Sequence, residues 1–238
     1  MSKILLALLF TLLMLTLAAC TGARKIPGKY GFYSTKSPAL SIKFNGLEYQ
    51  GEFKETKNGA NVHTYYYLDP DGKQAAWVEL IDIKQGWRLP PKKVPGAKLS
   101  NTGIYSKEVA GNSCYARTFL VQPETAKRGF AAMSSYTAIR VCTKLISQSQ
   151  KISIGYAGEV NSELAEEIFS SSNYGELTQA QRDFFAAFEK RADTAVVMDK
   201  FQKGDVEGKI EHAAMLSNPW YRFTDFMPLK QQIEKISR

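Results

Sequence analysis

Histidine is the side chain best suited to move protons near neutral pH, and this 238-residue chain has two, His63 and His212. Neither stands in a paired Cys/His or H-E-x-x-H spacing, so no metal site is expected. His63 lies in a tyrosine-rich run (VHTYYYL), where a hydrogen-bonded sheet histidine is the plainer role. His212 falls in a segment of helical character, residues 206–216, and reads as exposed or packed. The nucleophile patterns G-x-S-x-G and S-x-x-K do not occur, nor does a phosphate-binding G-x-x-x-x-G-K-[ST] loop. A triad assembled from distant residues would leave no such spacing. Glu166-Glu167 reads as a solvated helix face. Counted as a calcium loop from Asp69, Asp69-Pro70-Asp71-Gly72 puts Lys73, Gln74 and Leu80 where an oxygen ligand, a glycine and a glutamate are needed, so it is a turn. No cofactor is expected.

A second kind of chemistry is recognition. Residues 84–103 (KQGWRLPPKKVPGAKLSNTG) lack periodicity and contain Pro90, Pro91 and Pro95. Long irregular loops in compact domains are uncommon and often functional. This one carries Trp87 and Arg88 with Lys92, Lys93 and Lys98, an aromatic ring and cations suited to a lipid headgroup, a glycan or a partner protein. A connecting loop whose Trp87 packs on the body is the simpler account of the same residues. Trp220-Tyr221-Arg222-Phe223 with Phe226 is a weaker candidate, better suited to sealing a C-terminal segment onto the core.

The N-terminus carries the most specific signal. Lys3 precedes an apolar run, ILLALLFTLLML, and Leu17-Ala18-Ala19-Cys20 ends it with small residues before a cysteine. A positive start, a short apolar core and a small-residue cleavage site define an export signal. The run is shorter than the ~20 residues that span a bilayer. The Leu17-Ala18-Ala19-Cys20 motif resembles the lipobox of bacterial lipoproteins. That resemblance implies that residues 1–19 are removed and that the Cys20 thiol is diacylated, with its new amine often acylated too. Two or more chains make a stable anchor, whereas one is marginal. By the sorting rule of the class, Thr21 after the cysteine favours the outer membrane, facing the periplasm.

Residues 20–238 are enough for one large domain or two small ones. With 44% hydrophobic and 12% aromatic residues the chain can bury a core. The formal charge is +8, of which Lys3 supplies one. Such a balance suggests nucleic acid, but export argues against it, and anionic envelope polymers or lipids fit the compartment better. Plain solubility explains the charge as well. Cys114 and Cys142 remain as an even pair in an oxidising compartment, so a disulfide is expected. Its loop of about 29 residues would contribute ~3.5 kcal/mol. Two buried free thiols are the alternative.

These groups must be positioned by strands first and helices later. Residues 20–37 read as the lipidated N-terminus and a polar tether, ordered from near Tyr30. Leu40, Ile42 and Phe44 alternate with polar residues before Asn45-Gly46, and Leu47, Tyr49 and Phe53 follow. Asn-Gly between alternating runs favours a type I′ hairpin. Asn58-Gly59 repeats the signal before VHTYYYL, and Asp69 to Gly72 turns the chain into QAAWVELIDI. A four-stranded antiparallel meander is expected, then strands over residues 114–121, 138–145 and 152–157. Residues 124–135 suit a short helix or a loop. Asn161 or Ser162 caps a helix through Phe169, and Thr178-Gln179-Ala180-Gln181 has capping-box form. Phe184, Phe185, Phe188 and Ala192 make an apolar stripe at helical spacing. Further helices are expected over residues 206–216 and after Pro228. The class is α+β, an antiparallel sheet over residues 38–160 with helices from 161–238 packed on it, within one domain. The extended SIKF run after Pro38 also resembles, in shape alone, a PsbP-like sheet.

Two functional readings follow. The first is a lipid-anchored envelope lipoprotein without catalytic activity, a binding or assembly module whose partner is an envelope protein, a glycan or an anionic lipid. The second is an envelope hydrolase or transferase acting on cell-wall or lipid substrates. His63 within hydrogen-bond reach of both an acid and a hydroxyl would weaken the first reading sharply.

Overall fold

The computed structural model describes residues 25–35, 39–57, 59–83, 97–99, 105–109, 112–121, 136–147, 149–171, 176–202 and 204–211. Among these the chain forms β1 (Lys25–Gly28), β2 (Gly31–Ser34), β3 (Leu40–Phe44), β4 (Glu48–Lys57), β5 (Ala60–Leu68) and β6 (Gln74–Ile83). β7 (Ala97–Leu99), β8 (Tyr105–Val109), β9 (Asn112–Val121), β10 (Thr137–Leu145) and β11 (Gln150–Glu159) follow. Helices α1 (Ser162–Ser170) and α2 (Gln179–Ala195) and a last strand, β12 (Val196–Asp199), complete the set. The class is α+β, as the order of apolar patterns implies.

The larger sheet runs β4-β5-β6-β11-β10-β9-β7, with β8 pairing further along β9. Its first three strands are three of the four expected in the meander. Gly59 and Gly72 hold the turns at φ 77° and 69°, a left-handed region open to glycine. In the second turn the Asp69 carboxylate accepts the amide hydrogen of Gln74 at 2.9 Å. The β9, β10 and β11 pairings cover the three further strands expected.

β3 does not join this sheet. The second, smaller sheet has the order β1-β2-β3-β12, so Asn45-Gly46 leads from one sheet to the other instead of closing a hairpin. The reason is competition for the edges of β3. β2 takes one and β12 the other, and the amides that a hairpin would use are captured elsewhere. Phe44 N–H donates to the Tyr30 carbonyl, Asn45 N–H to Ala195 and Tyr49 N–H to Lys29. The supposed tether therefore contains two strands, with Phe32, Tyr33 and Ser34 fully or nearly buried. A second difference follows from a bulge between Tyr49 and Gly51. It places Tyr49 against one core cluster and Phe53 against the other, where simple alternation had put them on one face.

The helices start where their caps predict. The Asn161 side chain accepts from the amides of Glu163 and Leu164, and Thr178 forms the full capping box with Gln181. Ala165 and Ile168 of α1, and Phe185, Phe188 and Ala192 of α2, are buried. They share one core with Phe32, Ile42, Phe44, Tyr67 and Tyr156 of the two sheets. Over the described part of the helix expected at residues 206–216, residues 206–211, no helix forms. The described part, to residue 211, runs extended beside β1, where Lys29 N–H donates to Gly208 and Ile210 N–H to Pro27. Gly208 at φ 57° suits that path better than a helix interior. The rest of that segment, the helix after Pro228 and residues 124–135 lie outside the described residues.

The opposite face of the larger sheet carries a second cluster around Trp77, which is fully buried. Its indole lies across Gly155, directly opposite in the register. A Cβ at that glycine would stand 1.9 Å from a ring carbon of Trp77. The bulky indole is packed and cannot swing aside cheaply, so Gly155→Ala should cost about 2–3 kcal/mol. Urea unfolding of the two proteins checks this, and an unchanged midpoint would show that the ring moves freely.

Candidate functional site

The bulge in β4 turns Glu52 and Lys54 to the face of the larger sheet that meets the smaller one. The register then sets Glu52 opposite Tyr65 and Lys54 opposite His63. His63 sits between an acid and a hydroxyl: Nε2 is 2.8 Å from the Glu52 carboxylate and Nδ1 is 3.2 Å from the Tyr65 hydroxyl. Lys54 donates to the other Glu52 oxygen at 2.7 Å. A single neutral tautomer satisfies every bond. Nε2–H donates to Glu52, and the Tyr65 O–H donates to Nδ1.

The electrostatics agree with that assignment. Burial lowers the proton affinity of His63 and the Glu52 carboxylate only partly restores it, leaving it below the ordinary value. Burial works against the charge of Glu52, but the hydrogen bonds and charges of Lys54 and His63 prevail and hold its carboxyl below the usual range. Burial, with the Glu52 charge adding to it, pushes the Tyr65 hydroxyl far above the ordinary phenol value. The condition set from sequence for a catalytic histidine is met in its atoms, and it weighs toward catalysis. Two facts weigh the other way. The hydroxyl belongs to a tyrosine 2% exposed, whose ring packs on Phe32 at 4.8 Å. Both ring nitrogens of His63 are also occupied, whereas a general base needs one aimed at a reacting group.

A second polar cluster fastens α2 to the sheet. Arg140 is 6% exposed. It donates from Nε to Asp193 at 2.9 Å and from Nη1 to Thr118 at 2.8 Å, with Glu189 3.0 Å away. Thr118 in turn donates to Glu189 at 2.5 Å. Beside it, Cys142, Ile154, Ala192, Val196 and Met198 line a cavity of about 30 Å³, room for a water but not for a substrate. The expected disulfide joins Cys114 to Cys142 across β9 and β10, with Cα atoms 5.6 Å apart. That separation suits the bond.

Of the binding loop proposed from sequence, Trp87, Arg88, Lys92 and Lys93 lie outside the described residues, as do Cys20, His212 and residues 220–226. Lys98 lies in β7, opposite Leu120 of β9, so the segment holds a short edge strand that its composition did not announce. Among the described residues no cluster of three metal-binding side chains occurs, and no helix is long and apolar enough to cross a membrane. No protein-family model, characterised protein or solved structure matches the chain.

Two predictions follow from these clusters. Arg140→Ala strands two carboxylates against the sheet and should cost about 3 kcal/mol, less than for a wholly buried pair because Asp193 is partly exposed. Chemical unfolding measures it. For His63 the folded state binds its proton less readily than the unfolded chain, whose value is near 6.5. Stability is therefore complete above that value and falls as pH drops toward the lowered folded one. The depressed Glu52 carboxyl adds a second loss below 4.5. His63→Gln keeps a donor for Glu52 and should flatten the fall in stability as pH drops from about 7.5 through the ordinary histidine range. Unfolding curves across that range that stay parallel for both proteins would rule it out.

Proposed function

We propose that this chain is a lipid-anchored lipoprotein of the cell envelope, facing the periplasm from the outer membrane and acting as a binding or assembly module without catalytic activity. Acyl chains on Cys20 are its attachment to the membrane. Its partners are an envelope protein, a glycan or an anionic lipid, and not nucleic acid. The observation that carries this reading is the position of β1. The first strand begins at Lys25, five residues after the lipobox cysteine. An extended chain covers at most ~3.6 Å per residue, so the folded body lies within about 18 Å of an acylated Cys20. A signal that ends so close to the first strand fits a domain built to work at a membrane surface.

Absence of catalysis is supported by the closed hydrogen-bond set of His63, which leaves neither nitrogen for a substrate. The Glu52–His63–Tyr65 chain nevertheless favours a second reading, an envelope hydrolase or transferase acting on cell-wall or lipid substrates. In that case His63 must part from the buried hydroxyl to act.

Mass spectrometry of the protein extracted gently from its own membrane tests the anchor. The N-terminal peptide should begin at Cys20 and carry acyl chains, and retention of residues 1–19 would overturn the proposal. A stoichiometric companion in the extract would identify the partner of the binding module. Turnover of a cell-wall or lipid substrate that His63→Gln abolishes, at unchanged stability near neutral pH, would establish the catalytic reading instead.

A further inference from the structure

The strands on either side of residues 84–96 fix where that segment starts and where it finishes. Ile83 closes β6, the third strand of the larger sheet, at the end where Asp82 meets Gln150. Ala97 opens β7, the seventh, at the opposite end, where it meets Val121 in the row of Thr137 and Glu159. Strand spacings of ~4.8 Å put the two about 19 Å apart across the sheet, and about ten residues of rise put them about 33 Å apart along it, so the straight line is about 38 Å. The residues between them reach no farther than about 50 Å. Following the end of the sheet and then its far edge takes about 52 Å before any strand is cleared, which is beyond that reach. The segment therefore crosses a face.

One face is already filled, because the smaller sheet, α1 and α2 share its core. The other holds Trp77. On that face the straight line from Ile83 to Ala97 passes over Lys151 and Ser153 of β11, Val141 and Thr143 of β10 and Phe119 of β9. All five are exposed by 4% or less. A lysine does not reach that burial on a bare sheet face.

From reach and burial together we propose that residues 84–96 dock on the Trp77 face of the larger sheet, running obliquely from β6 to β7 over β11, β10 and β9. The composition of the segment suits this. Pro90, Pro91 and Pro95 favour extended backbone, which a span with so little slack requires. Trp87, Leu89 and Val94 offer apolar surface to a face built round Trp77, Phe119 and Val141. The stretch that sequence alone marks as a binding loop thus has a structural task. The docking does not depend on the lipid anchor.

The test uses the full chain carrying Ser153→Cys, a change of one atom on β11. In the folded protein this thiol should react with a maleimide several-fold more slowly than that of Ser149→Cys, whose position is exposed. On mild oxidation it should join a second cysteine placed by Gly86→Cys, Trp87→Cys or Arg88→Cys, the positions about a quarter of the way along the segment. Mass spectrometry of the linked peptides identifies the pair and separates it from any bridge to Cys20. Thr143→Cys with Leu89→Cys, Pro90→Cys or Pro91→Cys repeats the test one strand over, should the first set fail to fold. Reaction of the Ser153→Cys thiol at the rate of the exposed control shows the face open to water and overturns the proposal. A protected thiol that joins none of the three positions shows that another part of the chain covers the face, and overturns it equally.

Discussion

The smaller sheet stays in place because three tyrosines of the larger one hold it. Tyr67 donates to Gly31 at 2.7 Å, its ring meets Phe44 at 4.2 Å, and Tyr49 and Tyr65 flank it. Strands of four or five residues do not form a stable sheet alone. A buried hydrogen bond contributes about 1 kcal/mol, and each aromatic contact about as much. On this seam depend the burial of Leu47, the docking of β12 after α2, and the position of Tyr65 from which His63 takes its second hydrogen bond.

What could be read from sequence was what is settled locally. The turn at Asp69 to Gly72, the Thr178 capping box and the phenylalanine stripe of α2 involve residues within a few positions of one another, and all three are present. The misplacement of β3 has a distant cause. Its alternation and the Asn45-Gly46 pair are correct hairpin signals, but Gly31 to Ser34 and Val196 to Asp199 outbid β4 for its edges. Nothing within ten residues of Phe44 records that the chain returns there after residue 195. The same holds for the site. His63 was visible as a residue type, yet Glu52 becomes its partner only because one bulge reverses the facing of β4. An alternation carrying both Tyr49 and Phe53 as core residues, at even spacing but in different clusters, is compatible with such a bulge without locating it.

The two buried polar groupings show different uses of charge. The Arg140 cluster is an ion-pair network spanning sheet and helix. Such a network adds little net energy over an apolar core but penalises misdocking heavily. That α2 sits where Asp193 and Glu189 both reach one guanidinium defines its rotation on the sheet more sharply than Phe185 and Phe188 can. The Glu52–His63–Tyr65 chain is neutral at its centre, and its worth lies in bonding both ring nitrogens of His63.

The strand order of the smaller sheet bears on when this protein can fold. β1 and β2 lead the chain, but their sheet is closed by β12, more than 150 residues later, and β1 also bonds the segment reaching residue 210. Pairings of such sequence separation form slowly, because the loop must close before any contact rewards it. A chain with this topology stays open until nearly all of it has arrived in one compartment. Under the export proposed above, with the chain passing a membrane as a thread, the late closure is useful: the leading strands have no complete sheet to enter on the wrong side.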